Sequence, residues 1–183
     1  MFELIVTLIV ALPLAAALAN TLNLLAGEKL YGWRAVQNIT VGATLLSFLG
    51  SLWVFWQILL DPTPREVLLY RWLVSGDLAV DIAFLIDTLS GIMMLVVSGF
   101  AFMIGKFSIN YMHNDFSFSR YFSAFALFVF SMLILVMGNN YVMLFVGWES
   151  VGVCSYQLTR IKHKKFTLTN FKFSLFRPFY LLG

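Results

Sequence analysis

The sequence predicts an all-α integral membrane protein. It should have about five transmembrane helices, an incomplete sixth, and a short β-hairpin or irregular outer loop between the second and third. Three observations predict this. First, 61% of the 183 residues are hydrophobic and only 11% are charged, against about 45–50% and about 25% in soluble domains. A soluble domain of this size hides only about 70% of its surface, so the solvent for the remaining apolar surface must be a bilayer. Second, five apolar stretches are of the length a bilayer helix requires, about 20 residues. Third, the basic residues alternate between successive loops.

The stretches come in this order. The first runs over about Leu4–Leu25, with Pro13 expected to bend it. The second covers about Ala35–Leu60 and is stopped by Asp61-Pro62-Thr63-Pro64. The third covers about Thr88–Ile109, the fourth Tyr121–Gly138, and the fifth Tyr141–Leu158. Only Asn139-Asn140 separates the last two, which predicts a tight antiparallel hairpin of helices. A sixth stretch begins near Asn170. Residues 1–183 thus read as one membrane domain with an outer surface loop at 61–87. Within that loop, Gly76-Asp77 signals a turn between two loosely alternating runs.

Basic residues set the orientation. The odd-numbered loops hold Lys29, Arg34, Lys106, Arg120, Arg160, Lys162, Lys164 and Lys165. The even-numbered loops hold Arg65 and Arg71. Lys and Arg mark the cytoplasmic or matrix side, so the N-terminus is expected outside and the Arg160–Lys165 loop inside, where anionic lipid would meet it. Glu3 is the only charge in MFELIVTLIVALPLAAALA. This stretch lacks the positive n-region of a signal peptide and reads as a retained membrane segment. The net charge of +3 is explained by loop placement, with no nucleic acid as partner.

Few residues in this sequence could carry chemistry. The single Cys154 excludes an internal disulfide and reads as a small residue packed in a helix. His113 and His163 have no companions at ligand spacing. There is no nucleotide loop, haem pair, zinc spacing or nucleophile arrangement, so the chain is expected to hold no redox site, metal or cofactor. Trp53, Trp56, Tyr70 and Trp72 suit an aromatic belt at the outer boundary. Asp87 opens the third segment, where a negative charge suits the helix dipole.

Glu149 is different. It lies in LFVGWESVGVCSY (Leu144–Tyr156), near the middle of the fifth segment, where a charged carboxylate costs about 2.5–3.5 kcal/mol or more. Intramembrane carboxylates mark ion or proton pathways. Gly147, Val151 and Ser155 recur every four residues, as do Ser150 and Cys154. Small residues at this spacing admit a close helix neighbour, which predicts that Glu149 is packed inside a bundle. No basic residue lies at matching depth in the first four segments. Lys172 and Arg177 occur in the incomplete sixth and are, with Asp87, candidate supporting residues.

The segments FLIDTLSGIMMLVV (Phe84–Val97), YMHND (Tyr111–Asp115) and RYFSAFALFVFSMLILVMGNNYVMLFVGWESVGVCSYQL (Arg120–Leu158) together resemble the N-terminal portion of NADH dehydrogenase subunit 5. That subunit is the antiporter-like membrane subunit of respiratory complex I, and it is related to the large subunits of multisubunit cation/proton antiporters. The likeness covers about Tyr70–Leu158. It implies that Glu149 pairs with a lysine on a later, broken helix in a proton-translocating half-channel, and it places Asp87 at the outer end of the third helix. It implies other membrane-arm subunits as partners. It also implies NADH, FMN, iron–sulfur clusters and ubiquinone in other subunits, and a mitochondrial inner or bacterial cytoplasmic membrane with the N-terminus on the intermembrane-space or periplasmic side. Family members are several times longer, and the lysine-bearing helices are absent here. In the tail, Arg177 is the candidate counterpart of a family arginine; Pro178 follows it, and Tyr180 falls where an aspartate is expected. A split or truncated subunit with a structural or assembly role, and a subunit of a sodium/proton antiporter complex, are the alternative readings.

Overall fold

The computed structural model describes residues 1–75, 78–112 and 117–161; side chains at 73–75, 78–80 and 161 are not described. Five helices and one two-stranded sheet follow in the order α1 (Phe2–Leu25), α2 (Trp33–Leu60), β1 (Arg65–Ser75), β2 (Leu78–Ile86), α3 (Thr88–Tyr111), α4 (Phe118–Met137) and α5 (Tyr141–Ile161). The first four helices are long and apolar enough to cross a membrane. With α1–α4 it is a multi-pass membrane protein. The fifth, at 21 residues, is about 31 Å long and could also span. It is not among the four because Glu149, Gln157 and Arg160 dilute its apolar character.

The helices alternate in direction. One end of the bundle gathers the start of α1, the end of α2, the hairpin, the start of α3 and the α4–α5 turn. There Phe2 packs on Trp53 with ring centroids 6.3 Å apart, and the Arg65 guanidinium lies 4.8 Å over the Phe2 ring. The core at that end joins Val6, Ile58, Val67, Phe84, Met94 and Met137. At the opposite end Val36, Met112, Phe118 and Phe122 form a second cluster. Helix α4 is central, packing on α1, α2, α3 and α5. Its membrane-length window is 44% buried, against 28–33% in the other three spans. Much of the remaining apolar surface faces outward, as a bilayer solvent allows.

Local chemistry explains each break. Helix α1 ends in a Schellman-type cap. Glu28 N–H reaches Asn23 O at 2.8 Å and Gly27 N–H reaches Leu24 O at 3.1 Å. Gly27 has φ +70° and Glu28 has φ +61°, the left-handed region in which only glycine is free of a Cβ penalty. Asn23 Oδ1 then accepts from the backbone N–H of Leu30 and Tyr31, tying the loop back to the helix. Helix α1 is continuous through Pro13, although a proline frees the carbonyl four residues before it. That carbonyl, Ile9 O, accepts from Ser47 Oγ of α2 at 2.9 Å. A neighbouring hydroxyl thus replaces the missing bond, as a lipid-embedded backbone requires.

The loop at 61–87 is a regular antiparallel hairpin. Its register pairs Arg65 with Ile86 and Ser75 with Leu78, with shifts between Leu68 and Tyr70 and between Arg71 and Leu73. Each shift leaves one extra residue on β1, which accounts for strands of 11 and 9 residues and adds local twist. The Gly76-Asp77 turn lies outside the described residues. Trp56, Tyr70 and Trp72 are exposed and Trp53 is half-buried, the disposition an interfacial aromatic belt needs.

Candidate functional site around Glu149

Helix α5 is started by Asn140. Its Oδ1 accepts the Met143 N–H at 2.9 Å, the bond by which an N-cap satisfies a free donor of the first turn. The helix packs on α4 along a seam containing Met143, Gly147 and Cys154, of which Cys154 is 1% exposed. At Gly147 the two backbones approach so closely that a Cβ would lie 2.9 Å from both Leu135 Cα and Leu135 N. This is the small-residue packing the sequence predicts, with two differences. Ser155 is exposed, and Glu149 does not face the bundle.

Glu149 is exposed on the far side of α5. The reason is angular. At about 100° per residue, Glu149 stands about 200° round the helix from Gly147. A seam built on Gly147 and Cys154 therefore turns Glu149 outward. Among the described residues no neighbouring helix covers Glu149. Glu149 shares its face with Phe145 (62% exposed), Trp148 (67%) and Gly152, whose Cα has nothing within 4 Å of where a Cβ would stand. Among the described residues its carboxylate forms no ion pair or hydrogen bond; the one ion pair there is Arg65–Asp61, at 2.7 Å. It lies about 12 Å along the axis from Tyr141.

Asp87 is the N-cap of α3. Its carboxylate accepts the Ser90 N–H at 2.7 Å, and Ser90 Oγ accepts the Asp87 N–H at 2.8 Å, a reciprocal capping box. The bond from the Ser90 backbone, more than any other influence, holds the Asp87 carboxyl below the usual carboxylate range. Its side chain is committed to the helix start, a position at which its negative charge also suits the helix dipole. Lys172, Arg177, the sixth segment, both histidines and the basic run beyond Ile161 lie outside the described residues. Arg160, in the last turn of α5, donates to Tyr156 Oη and lies 5.0 Å over its ring.

Two groups of polar residues escaped the sequence reading. Asn20 is fully buried; its Nδ2 donates to Thr40 Oγ1 at 2.7 Å and its Oδ1 accepts from Tyr31 Oη at 3.2 Å. Burial holds the Tyr31 phenol above its ordinary value. The second group joins the hairpin to the α4–α5 turn. Asn139 N–H donates to Ala83 O, Asn139 Nδ2 to Glu66 Oε1, and Asn140 Nδ2 to Asp81 O. Asn20, a lone amide in an apolar run, was the available signal for the first group; for the second the sequence showed the Asn139-Asn140 turn but not its partners.

Residues 72–122, running from the end of β1 through β2 and α3 into the first turn of α4, match the family model described as NADH-Ubiquinone oxidoreductase (complex I), chain 5 N-terminus. The chain is 38% identical over 161 residues to NADH-quinone oxidoreductase subunit L of Neisseria meningitidis serogroup A, a match covering 86% of this chain and 23% of that protein. It is 38% identical over 192 residues to NADH-ubiquinone oxidoreductase chain 5 of Allomyces macrogynus, covering 96% and 29%. The chain thus spans about a quarter of the length of these relatives. Among solved structures, a chain of the membrane-bound sulfane sulfur reductase, an archaeal respiratory membrane complex, shares the fold with a TM-score of 0.71. That match has 22% identity and covers 87% of this chain and 31% of the other.

Proposed function

We propose, on the premise that this chain belongs to the NADH dehydrogenase subunit 5 family and corresponds to the N-terminal part of its members, that it forms part of the proton-translocating membrane arm of an NADH:quinone oxidoreductase. In this reading Glu149 is a station on the proton path. One observation carries it: a carboxylate stands outward on α5, on the side opposite the seam with α4. Against lipid such a group costs several kcal/mol, so the reading has this face covered by further membrane helices that bring a cation. The family resemblance supplies a lysine on a broken helix for that role. A cation close to Glu149 favours its carboxylate, and withdrawal of the cation favours the protonated acid. Alternation between the two would pass a proton along.

Electron transfer belongs to other subunits, which hold NADH, FMN, iron–sulfur clusters and ubiquinone. The partners of this chain are the other membrane-arm subunits, with anionic lipid against the basic run from Arg160 to Lys165. The membrane is mitochondrial inner or bacterial cytoplasmic, with the N-terminus on the intermembrane-space or periplasmic side. The test is NADH-driven proton uptake by proteoliposomes holding the assembled complex. Glu149→Gln should abolish most of the uptake attributable to this subunit while assembly is retained. Unchanged uptake would refute the proton-station role and leave a structural or assembly role.

A further inference from the structure

The hairpin touches the bundle at the turn that launches the Glu149 helix. Residues 138–140 link α4 to α5, and three of their polar groups bond to the hairpin. Asn139 N–H donates to Ala83 O at 3.1 Å, Asn139 Nδ2 to Glu66 Oε1 at 3.2 Å, and Asn140 Nδ2 to Asp81 O at 2.5 Å. Gly138 also bridges antiparallel to Phe84, so the turn continues the sheet as a fragment of a third strand. Beneath these bonds Val67, Phe84 and Ile86 of the hairpin share one apolar cluster with Met137 and Met143. Asn140 acts on both sides, since its Oδ1 caps α5 through the Met143 N–H.

We infer that the hairpin is a latch that sets the depth and rotation of α5, with Asn139, Asn140 and Glu66 as positioning residues for Glu149. The physical argument is mechanical. Among the described helices, α4 is the one on which α5 packs extensively, and a single main seam leaves a helix free to slide and roll. A tether at its N-cap limits both freedoms, because a rigid helix carries the constraint about 13.5 Å from Asn140 to Glu149. As a fixture of α5 the latch stands on the bonds just described. As a device that serves proton transfer it rests on the reading of Glu149 given above.

The chain's only cysteine provides the test. Cys154 is buried in the α4–α5 seam, so its labelling by a small membrane-permeant maleimide reports opening of that seam. Asn140→Ser keeps an oxygen cap for α5 but removes the donor to Asp81 O. Glu66→Ala removes the acceptor of Asn139, and Glu66→Gln restores an amide oxygen there. In the 183-residue chain in nanodiscs, Asn140→Ser combined with Glu66→Ala should raise the labelling rate roughly tenfold, the scale of one or two lost hydrogen bonds. Replacing Glu66→Ala by Glu66→Gln in that pair should recover part of the protection. Wild-type labelling in the Asn140→Ser/Glu66→Ala variant would overturn the latch. So would faster labelling in Asn140→Ala, which loses the cap as well, with none in Asn140→Ser. Unchanged proton uptake with Glu149→Gln would refute the proposed function and leave the labelling result standing.

Discussion

Asp87 shows how one residue type supports two readings until its partners are known. A carboxylate at a membrane boundary could serve transport, yet both arms of its capping box with Ser90 are made. Asp87→Ala should therefore destabilise the chain by about 0.5–2 kcal/mol, the usual loss for an N-cap, read as a lower unfolding midpoint in nanodiscs. The pH dependence follows from the sign of the shift. The folded-state pKa of Asp87 is depressed, so its contribution is fully present above the unfolded value of about 3.9. It is lost as pH falls through the lower folded value. Stability should be insensitive to Asp87 between pH 5 and 7, about one unit and more above that value, and should fall in more acid solution. Asp87→Asn keeps a capping oxygen and should remove this acid-side loss.

Elements meet through small groups and freed carbonyls. The Pro13–Ser47 relation is compensatory: the proline frees Ile9 O, and the serine satisfies it. Ser47→Ala should cost about 1–3 kcal/mol, the cost of an unpaired buried acceptor. Pro13→Ala in the same chain should return part of it by restoring an N–H to that carbonyl, which a double-mutant cycle of unfolding free energies would measure. At the α4–α5 seam, Gly147→Ala meets Leu135 backbone and should cost about 1–3 kcal/mol by overpacking, whereas Gly152→Ala, with open space at its Cα, should be neutral in the 183-residue chain. A loss from Gly152→Ala confined to an assembled complex would mark a partner helix seated on the Glu149 face. The seam itself was half legible. Gly147 and Cys154 were singled out by their spacing, but in an apolar helix every face looks buriable, so the spacing could not say which face meets α4. The Asn139–Glu66 and Asn140–Asp81 ties, spanning 73 and 59 residues, left no local trace.

At the scale of the whole molecule, the alternation of basic loops predicts that Lys29 and Lys106 share one side of the membrane and Arg71 lies on the other. Single cysteines at these positions in a Cys154→Ser background should react with an impermeant reagent from opposite sides of sealed vesicles. Labelling of all three from one side would contradict the proposed orientation. The sequence by itself marked the order of the described helices and the place of the hairpin between the second and third. Each helix is a local apolar run, with Gly27, Pro62 and Gly138 marking the ends of α1, α2 and α4, and a bilayer admits such runs only as spanning segments. It also marked Glu149, since an acid in such a run stands out without any partner. Only the tertiary structure decided that Glu149 faces away from α4, that Ser47 repairs the break at Pro13, and that the hairpin closes on the α4–α5 turn. Those outcomes depend on the rotation of a helix and on contacts between residues far apart in the chain, and neither is encoded in the local pattern of apolar and polar residues.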